Sequence, residues 1–92
     1  MNSPSEDSAE RARRYIASFQ AALRQHSLAE RDSTVKADSI RRVSDTMRQY
    51  LQDAQYYLEN RRPTTSLASI AYAEGLLDAL KFLELATPQG SQ

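Results

Sequence analysis

Tyr50, Asp53 and Tyr57 are spaced by three and four residues, so a helix brings them to one side. A carboxylate in that position can accept hydrogen bonds from tyrosine hydroxyls, with Tyr72 further along the chain as another donor. Glu74 and Asp78 share a helical face at i,i+4. Two carboxylates so placed could hold a hard cation such as Mg²⁺, with waters completing its shell. Gly75 lies beside them, and a glycine inside a helix costs about 1 kcal/mol relative to alanine. Close approach of a neighbouring helix or of the Tyr50 ring is the expected compensation, and a slot for a ligand is the alternative. Tyr50, Asp53, Tyr57, Tyr72, Glu74, Gly75 and Asp78 thus form the candidate cluster. It reads either as a small-ligand or metal-binding site or as a polar network that fixes helix register. The network is the simpler reading, because the sequence supplies no further cation ligands, and no metal or cofactor is assigned.

Catalytic chemistry has less support. His26 is the single histidine and there is no cysteine, which argues against zinc and against thiolate or triad chemistry. No nucleophile, base and orienting group occur together, so no catalytic residue is assigned and a non-enzyme is expected. The arginines Arg11, Arg13, Arg14, Arg41, Arg42, Arg48, Arg61 and Arg62 raise a third reading, an RNA-associated accessory protein. They point in several directions on helical wheels and lack an accompanying aromatic RNA-binding motif. Pairing with the interspersed acids is the plainer use of these guanidinium groups.

Twelve basic and twelve acidic residues cancel, so no overall field draws the protein to nucleic acid or membrane. No apolar run approaches the roughly 20 residues of a membrane span. The first residues lack the basic and apolar regions of a signal peptide, and a soluble cytoplasmic protein is expected. Ninety-two residues form one domain with a small core.

The elements that carry the cluster are three helices. The first is expected over about residues 4–28, with Ser3 as N-cap, Pro4 at the first helical position and Glu6 completing a capping box. Its apolar stripe is Ala9, Ala12, Ile16, Phe19 and Leu23. A polar connection over about 30–34 follows, with Asp32 and Ser33 as candidate caps. The second helix, about 34–60, buries Ile40, Val43, Met47, Tyr50, Leu51, Ala54, Tyr57 and Leu58 and turns Arg42, Asp45, Gln49, Gln52 and Tyr56 outward. Pro63 ends it, and Thr64 or Thr65 caps a third helix over about residues 65–86. Residues 87–92 are a tail. Short connections make neighbouring helices antiparallel, giving an all-α, up-down-up three-helix bundle. With the hinge near Arg62, Tyr50 is expected level with Gly75, and Asp53 level with Tyr72.

The third helix is apolar around most of its circumference. Ala68, Ala71, Tyr72, Ala73, Gly75, Leu76, Ala79, Leu80, Phe82 and Leu83 belong to one broad arc, and Ile70 and Leu77 extend it further. Two neighbouring helices cannot cover so much. A face around Leu76, Leu80 and Leu83 is therefore expected to meet a partner, most simply a second copy in a homodimer.

The segments Tyr50-Leu51-Gln52-Asp53-Ala54-Gln55-Tyr56-Tyr57-Leu58 and Ile70-Ala71-Tyr72-Ala73-Glu74-Gly75-Leu76-Leu77-Asp78-Ala79 occur at a set separation. Together they resemble the archaeal family known as domain of unknown function 357, over roughly residues 35–85. The turn Arg61-Arg62-Pro63-Thr64 departs from the small, acidic turn of that pattern. The resemblance implies a compact helical bundle from an archaeal cytoplasm, and it brings no established activity.

Overall fold

Apolar residues at helical spacing build three helices in the computed structural model, which describes residues 4–28 and 37–88. They are α1 (Pro4–Gln25), α2 (Ala37–Glu59) and α3 (Pro63–Phe82). Two short strands, β1 (His26–Leu28) and β2 (Ala86–Pro88), follow α1 and α3. The expected caps Ser3, Asp32 and Ser33 lie outside the described residues, as do residues 89–92 of the expected tail.

The core takes Ile16 and Phe19 from α1, Ile40, Met47 and Ala54 from α2, and Ile70, Ala73, Leu77 and Leu80 from α3. In α1 and α2 these are the stripes that the apolar spacing predicts. The polar side of α2, from Arg42 to Tyr56, is exposed. Three serines, Ser44, Ser66 and Ser69, are also buried. Ser66 donates its hydroxyl to the backbone carbonyl of Ala54 at 2.6 Å. Ala54 and Ser66 are both fully buried, so α2 and α3 meet there through two small residues. Tyr50 meets Tyr72 farther along, so α3 runs opposite to α2.

Both α2 and α3 end in the same turn. After α2, the Arg61 amide donates to the Leu58 carbonyl and the Arg62 amide to that of Tyr57, with Arg61 at φ 62°. After α3, Glu84 donates to Lys81 and Leu85 to Leu80, with Glu84 at φ 60°. This crossed pair of bonds around a left-handed residue satisfies the last carbonyls of a helix. The position usually holds glycine, because a side chain there costs roughly 1–2 kcal/mol. Contacts between the ends of the motif oppose that cost. Leu85 packs into the core with Leu80, and the Arg62 guanidinium lies 5.3 Å from the centre of the Tyr57 ring.

Helix boundaries differ from the expected ones at both ends of α3. Pro63 occupies the first helical turn, so the helix begins there and not at Thr65. The proline's fixed φ suits that position, and its missing amide is no loss there. Arg62 is the N-cap residue and makes no side-chain capping bond, so neither Thr64 nor Thr65 is the cap. α3 stops at Phe82, and burial of Leu85 and Ala86 carries the chain back over the bundle end. Thr87 and Pro88, expected in a tail, pair with β1 instead. The pairing is antiparallel, with His26 opposite Pro88 and Leu28 opposite Ala86.

Candidate functional site

The seven cluster residues occupy five separate environments. Tyr50 of α2 stacks on Tyr72 of α3, with ring centres 5.1 Å apart and planes 21° from parallel. Offset stacking of this kind contributes about 1 kcal/mol beyond burial. Tyr57 lies at the α2–α3 turn, edge-on to Tyr56 and under Arg62. Asp53 accepts a hydrogen bond from Gln49 of its own helix at 3.1 Å. The expectation that Tyr50 lies level with Gly75, and Asp53 with Tyr72, does not hold. Because α3 starts at Pro63, straight after a tight reversal, Tyr72 reaches Tyr50 and Gly75 is carried past it.

Gly75 has no close neighbour: a methyl group added to it would meet nothing within 4 Å. The helical cost of glycine is therefore not offset within this chain. Glu74 and Asp78 lie toward α1, where they line a 210 Å³ cleft with Ser18, Phe19, Leu77 and Lys81. Lys81 pairs with Asp78 at 3.8 Å. Among the described residues, no three His, Cys, Asp or Glu side chains group in a way that could hold a metal ion.

Partial burial raises the Glu74 carboxyl above its usual range, and the nearby Asp78 carboxylate adds to the rise. A raised folded-state value means that folding retains a proton on Glu74. Its contribution to stability is full below the unfolded-state value, near pH 4, and is lost as pH rises through the folded-state value. Glu74→Gln should thus be slightly more stable than the parent at neutral pH, with the difference closing on acidification below about pH 4. Thermal melts from pH 3 to 7 measure this. A parent more stable than the variant at pH 7 would contradict it.

His26 donates its Nδ1–H to the Ala22 carbonyl at 2.6 Å, which fixes the ring at the end of α1. Among the described residues, Arg41 is the one arginine in an ion pair, with Asp38 at 3.2 Å. General pairing of the arginines with the acids is therefore not found there.

The largest unsatisfied feature is the outer face of α3. Ala68, Ala71, Tyr72, Gly75, Ala79, Phe82 and Leu83 are all exposed. At about 100° per residue they fall within about 120° of arc, with no charged residue among them. Phe82 is 84% exposed, Leu83 64% and Tyr72 63%. This corrects the expected face of Leu76, Leu80 and Leu83. Leu80 is 3% exposed and belongs to the core, Leu76 is half-buried against it, and Leu83 alone lies on the open side. The inner side of α3 is set by Ser66, Ile70, Ala73 and Leu77, which places the opposite residues outside.

The two segments that carry the family pattern are therefore the stretches of α2 and α3 that pack on each other, and a sequence comparison agrees. The family described as "Protein of unknown function (DUF357)" matches residues 14–86. The chain belongs to this family. The DUF357 match runs from the middle of α1 to the start of β2 and includes the whole α3 outer face. No curated protein and no solved structure matches the chain. Among the described residues, no helix is long and apolar enough to cross a membrane.

Proposed function

We propose that this protein is a non-catalytic helical interaction module that docks another protein surface through the outer face of α3. The observation that carries this reading is the uncharged stripe from Ala68 to Leu83, with Tyr72, Phe82 and Leu83 mostly exposed. Single exposed apolar residues are ordinary, but contiguous ones on one helix face mark sites of association. We propose an up-down-up course of the helices with it, in which α3 packs on α1 and α2 with its inner side and leaves a continuous outer one. A small-ligand or metal site gains less support, since Tyr50, Tyr57, Glu74 and Gly75 lie in different surroundings.

Photo-crosslinking in the cells that make the protein tests this without assuming a partner. A photoreactive benzoylphenylalanine at Phe82 should give discrete adducts. The same group at Gln52, exposed on the outer side of α2, should give none. Equal labelling from both positions, or none from either, would remove the proposal.

A further inference from the structure

We infer that the partner on this face is a second copy of the same chain, docked with its α3 antiparallel across a twofold axis that passes beside Gly75. The inference deepens the interaction reading above and rests on it. The pattern of residue sizes carries it. An antiparallel twofold near Gly75 pairs positions whose numbers add to about 150, on the same side of the contact, at the helical rise of about 1.5 Å per residue. Leu83 then faces Ala68 of the other copy, Tyr72 faces Ala79, and Phe82 faces Ala71. Each bulky side chain that stands out from α3 meets an alanine. Gly75 faces itself at the centre, where a side chain would hold the helices apart.

A parallel twofold has a different outcome. It sets Phe82 against Leu83 at one end and forces the helices to splay. Ala71, Gly75 and Ala79 recur every four residues, a spacing that lets two backbones approach closely. The open space around Gly75 within one copy leaves room for that approach.

The available area is sufficient. The exposed fractions of Tyr72, Phe82 and Leu83, with the small residues between them, amount to roughly 500 Å² of apolar surface per copy, taking an aromatic side chain as about 200 Å². Complete coverage of this face would let two copies bury about 1,000 Å², at the threshold for a specific interface. Its isologous character follows from one patch meeting itself.

Cysteine pairing in the full chain decides the matter, because the protein has no cysteine of its own. An equimolar mixture of Ala71→Cys and Ala79→Cys should give a disulfide-linked dimer under mild oxidation. Ala71→Cys alone should not, since its two copies lie about 13 Å apart, beyond the roughly 7 Å a disulfide spans. Gly75→Leu should remain folded and weaken self-association at least tenfold in sedimentation equilibrium. Three other outcomes overturn the inference. If Ala71→Cys links to itself and the mixture does not, the copies are parallel and the α3 face survives as the docking surface. If the chain stays single to millimolar concentration while Phe82 adducts form in cells, the partner is another protein. If the chain self-associates with no effect of Gly75→Leu and no crosslink, the face itself is not the interface, and the broader reading fails with it.

Discussion

Ile70→Ala should lower folding stability by about 3 kcal/mol, the cost of emptying a buried site that cannot fully collapse. Ile70 is completely buried at the middle of the inner face of α3, among core residues from neighbouring elements. A chain of this size has about 5–14 kcal/mol of stability in all, so one such deletion takes a large share. The informative control is Phe82→Ala. It removes a larger side chain, but one that is 84% exposed, so in dilute solution its effect should stay within about 0.5 kcal/mol. Urea unfolding of both variants at micromolar concentration measures the difference. A larger loss from Phe82→Ala than from Ile70→Ala would mean that α3 is rotated about its axis, with its inner and outer faces exchanged.

Ser66→Leu should cost about 3 kcal/mol, and Ser66→Ala only about 1 kcal/mol. Alanine loses the bond from the Ser66 hydroxyl to the Ala54 carbonyl and leaves the packing alone. Leucine loses the same bond and adds bulk where α2 and α3 touch through two fully buried small residues. A core at native density absorbs extra atoms only by moving side chains off their rotamers or shifting backbone. The ranking separates two roles for Ser66. If alanine were the costlier change, the hydrogen bond would hold this crossing. If leucine is, the small size of the residue does. Chemical denaturation of the two variants beside the parent gives the order directly.

How far the sequence revealed the fold depends on where polar residues stand. In α2, Arg42, Asp45, Gln49 and Gln52 mark one side as wet, so the buried stripe from Ile40 to Ala54 could be read from spacing alone. In α3 no such contrast exists. Alanines, a glycine and aromatics line the outer side, and Ile70, Ala73 and Leu77 the inner, so periodicity gives no direction. The broad arc mixes the two faces, which is why Leu80 reads as interface and Ile70 as edge. Ser66 carries no signal at all, since serine is as much at home in a solvated turn as in a tight crossing. The register slip at Tyr50 has one source, Pro63, which starts a helix where it was expected only to end one. The strand pair rests on three residues a side and shows no alternation to find. Of the candidate site, the excess of apolar surface on the third helix was legible; the residues that make it up needed coordinates.

The pairing of β1 with β2 bears on the order in which the molecule assembles. α2 and α3 are joined by a turn of three residues, so their contacts form with little loss of chain freedom. Leu28 and Ala86 are about 60 positions apart, and joining them closes a loop that contains the whole of α2 and α3. Contacts of such long sequence separation reward folding only after the chain between them is organised. The hairpin of α2 and α3 is thus expected to be the kinetic nucleus, with the strand pair as a clasp fastened last. The same clasp should be the first piece to open when the native state fluctuates, so the amides of residues 26–28, 86 and 87 are expected to exchange with solvent before those at the Ala54–Ser66 crossing.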